Sequence, residues 1–369
     1  MRSVSVFLLG FYKQLNTFDS VEDAVVDFFP KLWAHYQSYD IPQTMSAWRQ
    51  FQLFNKKILS SIPYYRDHFV HQFIVFLLGA VILDRLNNLP DLAKCYPAYR
   101  NLQEEKKKAK IEHAWVMTSL FHDVAYPLQT SNKWFWDIIR AFIGEDSCHP
   151  MRNLPVDTVL YNPDYIDSID QLVSFHRRLG RDENELRRVI MDILRDKDGK
   201  GTGLDHGIMG ALLLLGNSRF DFEVVAPAAS AIALHNKLSD IASVDKIHFE
   251  KHPLAFILIY CDLLHEWARD VDEDEDEIVP GSEFPRLKDF VITATFDELP
   301  TQGISEMDLE AIRQGMEGKE CVFASIQIDS YVAEKLEEAR HKFDKLKSES
   351  VCFVVKINNR TFFTTNYLK

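Results

Sequence analysis

Long apolar segments of helical length, each interrupted by a histidine or an aspartate, constrain this chain more than any other feature. The segment "WVMTSLFHDVAYPLQ" shows the pattern most clearly, because His122 and Asp123 stand side by side where the apolar run meets a proline. Five such segments together carry the following polar residues: His71, His122, Asp123, His206, His235 and Asp262. Because burial of an imidazole or a carboxylate without a partner is costly, each of these residues needs a partner if it is buried.

The length and pattern of the apolar segments predict a mainly α fold. Between residues 61 and 270 the segments have helical lengths and little strict two-residue alternation, which favours a helical core with irregular connections. The longest runs, such as "VHQFIVFLLGAVIL", fall short of the roughly 18 apolar residues that a membrane-spanning helix needs. Polar residues such as His71 and Asp262 also interrupt them. We therefore expect buried helices and no membrane span.

The segments that flank this core predict the domain organisation. Residues 1–60 are helical in pattern and rich in aromatic residues, which indicates an N-terminal helical lobe. The acidic run "RDVDEDEDEIVPG" is typical of a solvated linker, which we place at 271–285. Beyond it, "DFVITATF" alternates like a strand, and "VCFVVKINNRTFFTT" predicts a hairpin around two asparagines. Residues 286–369 are thus predicted to form a small α+β accessory domain.

Composition limits the partners and the compartment. The net charge of −13 argues against a general nucleic-acid surface, although a small phosphorylated substrate remains compatible with it. The five cysteines are an odd number without a CxxC pair. They support neither a disulfide framework nor a cysteine zinc site, and a cytoplasmic location is expected. Assembly into a homo-oligomer is left open by the sequence.

Taken one at a time, the histidines and aspartates of the apolar segments have ordinary explanations. A core histidine can donate to a carbonyl, and an aspartate can cap a neighbouring helix. Taken together, four histidines and two aspartates on several inward-facing helices fit a divalent metal centre better. Imidazole and carboxylate ligands suit manganese, iron, cobalt, nickel or zinc, whereas magnesium prefers an all-oxygen shell. We expect two such ions, with Asp123 as the bridge between them.

The order and local context of these residues resemble the HD superfamily of metal-dependent phosphohydrolases. In that pattern a histidine precedes a His-Asp pair, further histidines follow in the two-metal members, and an aspartate ends the series. Here "LFHDVAYP" is similar to the His-Asp motif, and "HGIMG" is similar to the His-x-x-x-Gly of the two-metal branches. The resemblance covers about residues 61–270 and implies an HD-type helical core. It also implies the six ligands His71, His122, Asp123, His206, His235 and Asp262.

The resemblance implies a reaction class more clearly than a substrate. The Gly-Tyr-Pro motif of the cyclic-di-nucleotide branch does not occur, so that substrate is disfavoured. The expected activity is hydrolysis of a nucleotide-like phosphomonoester or phosphodiester by a metal-bound hydroxide, with Asp123 central to catalysis. The alternative is an HD-fold regulatory or binding module that acts through ligand or partner binding without turnover.

Several other polar residues are candidates of lower rank. His68 precedes His71 by three residues and could act as a general acid, although a hydrogen-bond partner for a ligand is the favoured role at its position. Ordinary surface charge also explains the three basic residues that could contact phosphate, namely Arg66, Lys133 and Lys200. His113 is excluded as a ligand, because nine residues of helix place it roughly 13 Å from His122.

Overall fold

The computed structural model describes residues 46, 48, 50, 68–86, 89–129, 163–176, 182–194, 205–216, 220–236, 246–266, 286–327, 339–358 and 360–365. Most of the predicted N-terminal lobe and the whole of the predicted linker lie outside these residues. By internal contacts the described residues divide into two compact units. One unit falls within 19–76 and 101–244, and the other within 77–100 and 245–369. The described part is mainly helical with a small sheet region near the C-terminus, which confirms the predicted mainly α class.

Helices make up the described part of the first unit. They are the N-terminal end of α1 (His68–Arg85), then α3 (Glu104–Phe121), α4 (Pro163–His176), α5 (Glu183–Leu194), α6 (His206–Leu215) and α7 (Phe222–Leu234). Helix α7 packs against α3, α4 and α6. Nearly every residue of α6 and α7 is buried. Helices that are apolar on all sides are typical of the centre of a helical core.

Aspartate side chains cap the N-termini of two of these helices. Asp205 precedes α6 and accepts a hydrogen bond from the backbone N–H of Ile208 at 2.7 Å. Asp221 precedes α7 and accepts from the backbone N–H of Glu223 at 3.0 Å. Aspartate is favoured at this position because its carboxylate satisfies an N–H that has no partner within the helix.

Helix α7 starts beside the second turn of α3. Lys110 of α3 forms ion pairs with Asp221 and with Glu223, the latter at 2.9 Å. Burial opposes ionisation of Asp221, but hydrogen bonds from Lys110 and from the Glu223 N–H outweigh it and lower the pKa of the carboxyl group. The ends of the helices also meet, since the rings of His122 and His235 lie 5.5 Å apart. The two helices therefore run parallel, and their C-termini converge on one place.

The second unit contains the sheet region. Its described elements are the C-terminal part of α1, α2 (Leu89–Ala93), β1 (Ile247–His248), α8 (Pro253–Glu266), β2 (Arg286–Thr293), α9 (Glu306–Gly315), β3 (Glu320–Gln327), β4 (Leu346–Lys347), β5 (Val351–Ile357) and β6 (Arg360–Thr364). Four strands form a mixed sheet in the order β2-β3-β5-β6, with β3 and β5 parallel and both edge pairs antiparallel. Strands β1 and β4 form a separate parallel pair. The predicted strand "DFVITATF" is confirmed over 289–293, whereas its last residue, Phe296, begins a short 3-10 helix. The predicted hairpin is confirmed, and Asn358 has the positive φ of 49° that a tight turn favours.

A buried apolar cluster and one carboxylate hold this unit together. The cluster comprises Leu299, Ile304, Ile312, Met316, Cys321, Phe323, Cys352 and Val354. Glu250 Oε1 accepts hydrogen bonds from Ser350 Oγ at 2.7 Å, from Ser350 N–H at 2.9 Å and from Glu349 N–H at 2.8 Å. Burial acts to raise the pKa of Glu250, but these hydrogen bonds outweigh it and lower the pKa.

Among the described helices, none combines the length and apolar character needed to cross a membrane.

Candidate metal centre

The ends of four helices supply the predicted ligands of the first unit. His122 directly follows the last residue of α3, and His235 directly follows the last residue of α7. His206 is the first residue of α6, and His71 lies in the first turn of α1. Because the C-terminus of a helix carries partial negative charge, the ends of α3 and α7 favour a cation beside His122 and His235.

The histidines meet in two pairs through their Nε2 atoms. His71 Nε2 lies 3.2 Å from His122 Nε2, and His206 Nε2 lies 3.2 Å from His235 Nε2. The residues of each pair come from different helices and are 51 and 29 residues apart in the sequence. The two pairs are adjacent, since the rings of His122 and His235 are in edge contact.

Asp123 lies between the two histidine pairs and directs one carboxylate oxygen to each. Its Oδ2 atom is 3.4 Å from His122 Nε2 and 3.8 Å from His71 Nε2. Its Oδ1 atom is 3.4 Å from His206 Nε2 and 4.0 Å from His235 Nε2. A carboxylate in this arrangement can offer one oxygen to each of two cations. This is the geometry expected of a bridging ligand.

Groups able to hold a metal ion occur at this place. The first unit contributes two groups: His71 with His122, and Asp123 with His206 and His235, whose potential ligand atoms lie within 4.8 Å of one another. Imidazole nitrogen and carboxylate oxygen together are a donor set that transition metals accept. Five of the six residues predicted as ligands lie in the first unit, and the sixth, Asp262, lies in α8 of the second unit.

Hydrogen bonds at Nδ1 orient three of the four imidazoles. His122 Nδ1 donates to the carbonyl oxygen of Ser119 at 2.8 Å, and His235 Nδ1 donates to the carbonyl oxygen of Ile232. His206 Nδ1 donates to the side-chain oxygen Oε1 of Gln129 at 2.7 Å. A carbonyl oxygen can only accept, so the Nδ1 atom carries the proton in a neutral ring and Nε2 keeps its lone pair. These lone pairs point at neighbouring Nε2 atoms, which is stable only with a cation or a proton between them.

The two groups differ in their exposure. His71 and His122 are 1% and 0% exposed, whereas the side chain of His206 is 15% exposed. Tyr126, which is half-buried, places its ring 5.7 Å from that of His206. Access for a small molecule is therefore greatest at the His206 side of the centre.

Close packing of α6 against the end of α7 depends on a glycine. A Cβ atom at Gly207 would lie 2.8 Å from the carbonyl oxygen of Ile232 and 3.1 Å from His235 Cε1. Gly210, the second glycine of the "HGIMG" motif, lies one turn further along α6. A Cβ there would find ordinary contacts of 3.4 Å or more, so of these two glycines only Gly207 is required for the close approach.

The remaining predicted residues have different outcomes. His68 is the first residue of α1, but its side chain lies outside the described part of the chain, as do Arg66, Lys133 and Lys200. His113 is buried in α3 and belongs to neither ligand group found in the described residues. Sequence reasoning missed Gln129 and Gly207. A short segment around Asp123 or His206 contains no pattern that predicts either contact.

Comparison of the chain with protein-family models, curated proteins and solved structures finds no match in any of the three.

Proposed function

We propose that this chain is a divalent-metal-dependent phosphohydrolase of the HD type that binds two transition-metal ions. The observation that carries the proposal is the arrangement of two facing imidazole pairs with one oxygen of Asp123 directed at each. A purely structural cluster would not benefit from the Nε2 lone pairs of His206 and His235 held 3.2 Å apart. Two cations, one at each pair, remove that repulsion and satisfy both oxygens of Asp123.

The ligands of this proposal are the six residues predicted from the sequence. His71, His122 and Asp262 would hold one ion, while His206 and His235 would hold the other. Asp123 would serve both. The ions would be manganese, iron, cobalt, nickel or zinc, because magnesium prefers oxygen ligands to imidazole.

Bound divalent cations would neutralise negative charge on the phosphoryl oxygens and would lower the pKa of a bound water. The chain supplies the orientation. Ser119, Ile232 and Gln129 accept the Nδ1 protons of three imidazoles and so direct Nε2 of each ring at the centre. The exposed edge of His206 leaves one side of the centre open to a substrate.

The substrate class belongs to the same proposal. We propose a small nucleotide-like phosphomonoester or phosphodiester rather than a nucleic acid, because the net charge of −13 disfavours long polyanions. The cations would then supply the positive charge locally. We also propose that the protein is cytoplasmic and that its C-terminal region has a regulatory or assembly role.

Metal analysis and a phosphate-release screen test this function. The purified protein is reconstituted with manganese, its metal content is measured, and nucleotide monoesters and diesters are offered as substrates. We expect about two ions per chain and phosphate release from at least one nucleotide. Two bound ions without release from any nucleotide would favour the regulatory module. A chain that binds no ion and keeps its stability contradicts the metal centre itself.

Substitution of Asp123 separates the centre from general damage to the core. Asp123→Ala should lose both metal retention and phosphate release, because the residue faces both histidine pairs. His113→Ala is the matched control, since His113 is also buried in the same region but belongs to neither ligand group. It should keep its metal even if its stability falls. Equal loss of metal in both variants would mean that the site is misplaced.

A further inference from the structure

We infer that Gln129 is a positioning residue for His206, and that it sets which nitrogen of that imidazole faces the ion held with Asp123 and His235. Gln129 lies in the helical turn at residues 126–129, directly after the His-Asp pair. The inference rests on the proposed function, because it assigns Gln129 a role toward one of the two proposed ions.

His206 cannot be oriented in the way that His122 and His235 are. Those two histidines follow helices and donate Nδ1–H to the carbonyl oxygen three residues earlier in the same helix. His206 instead begins its helix, so no preceding helical turn offers it a carbonyl oxygen. The acceptor must come from another part of the chain.

Gln129 supplies that acceptor from 77 residues earlier in the sequence. Its Oε1 atom accepts from His206 Nδ1–H at 2.7 Å and from the backbone N–H of the same residue at 3.3 Å. One oxygen therefore holds both the ring and the first backbone N–H of α6. Gln129 itself is half-buried, so water competes only in part for this oxygen.

Asn236 is a second neighbour of His206 Nδ1, so Gln129 decides which ring nitrogen of His206 carries the proton. Its amide nitrogen Nδ2 lies 3.2 Å from His206 Nδ1. While Nδ1–H donates to Gln129, Nδ1 has no lone pair to accept from Asn236. If the Gln129 oxygen is removed, Asn236 can donate to Nδ1, and the imidazole proton then moves to Nε2. An Nε2–H cannot ligate a metal ion.

Zinc titration of the full-length metal-free protein tests the inference through binding rather than turnover. In wild-type protein we expect two binding events by calorimetry. Gln129→Leu should weaken one event by about 10- to 100-fold, the usual effect of removing a hydrogen-bond partner of a ligand, and leave the other unchanged. Gln129→Glu should retain both events, because the carboxylate also accepts the Nδ1 proton.

A double variant distinguishes positioning from helix capping. In Gln129→Leu with Asn236→Asp, the new carboxylate can accept the Nδ1 proton although residue 129 cannot. We expect zinc binding at the weakened event to return to within a few-fold of wild type. If the role of Gln129 were only to cap α6, this variant would remain as defective as Gln129→Leu, and thermal melts of the metal-free proteins would show an equal loss of stability in both.

The nitrogen-15 shifts of the histidine rings in the metal-free proteins give a second readout. In wild type the Nδ1 of His206 should carry the proton, whereas in Gln129→Leu the proton should be on Nε2. Wild-type protein that binds no zinc contradicts the proposed function and this inference together. Two binding events that are both unchanged, or both weakened to the same extent, in Gln129→Leu contradict this inference alone.

Discussion

A methyl group at position 207 would collide with the carbonyl oxygen that holds the ring of His235. The Cβ atom of Gly207→Ala would lie 2.8 Å from Ile232 O, closer than real Cβ contacts, and 3.1 Å from His235 Cε1. It would also lie 3.1 Å from Asp205 Oδ1, which caps α6. Backbone rather than a flexible side chain must therefore move.

The structure sets the size and sign of the expected change. Overpacking of a buried site costs about 1 to 3 kcal/mol of unfolding free energy. Gly210→Ala is the matched control in the same helix, because its Cβ would meet nothing closer than 3.4 Å. There the substitution should stabilise the protein by about 0.4 to 1 kcal/mol, since alanine restricts the unfolded chain. The two single-methyl variants are thus expected to differ in sign.

Urea unfolding of the metal-free proteins measures this difference, and zinc titration adds a second observation. Displacement of Ile232 O should misalign His235 Nε2, so Gly207→Ala should also bind the ion at the His206 and His235 pair more weakly than Gly210→Ala does. If Gly207→Ala proves at least as stable as Gly210→Ala, the close approach of α6 to the end of α7 is wrong, and so is the geometry built on it.

Three further outcomes are expected. Glu250→Gln should lower the free energy of unfolding at pH 7 by roughly 1 to 2 kcal/mol, because hydrogen bonds to a charged acceptor are the stronger ones. Because the folded pKa of Glu250 is lowered, its stabilising contribution is present above the unfolded pKa of about 4.3 and is lost as the pH falls through the folded value. The urea midpoints of variant and wild type should therefore converge as the solution is made acidic. Lys110→Met should cost less than about 1 kcal/mol, since its partner Asp221 is half exposed, and the loss should shrink in concentrated salt. His206→Ala and His235→Ala should each keep the ion of the other group but lose most phosphate release, as metal counts and release rates will show.

Each of these outcomes has a result that contradicts it. A constant difference between Glu250→Gln and wild type from pH 7 to pH 3 would mean that the charge of Glu250 contributes nothing. A salt-independent loss in Lys110→Met would indicate packing of its alkyl chain rather than ion pairing. Unchanged phosphate release in both histidine variants would remove them from the mechanism. Strong destabilisation with unchanged metal content would make them core histidines.

The helical class and the residues of the candidate metal centre were predictable from local sequence patterns. Apolar runs of helical length favour helices regardless of what packs on them. A histidine or aspartate inside such a run needs a partner, so the recurrence of that pattern singled out the residues that form the two ligand groups. The hairpin near Asn358 was predictable for the same reason, because its turn chemistry lies within a few residues.

Only the tertiary structure decided how these residues pair and what orients them. The parallel course of α3 and α7 brings His122 against His235, and no pattern within either helix encodes that neighbour. The contact of Gln129 with His206 spans 77 residues, and the need for glycine at 207 rather than 210 arises from a carbonyl oxygen in another helix. Helix formation depends on neighbours three or four residues apart, whereas ring orientation and the distance between Nε2 atoms depend on how distant segments pack.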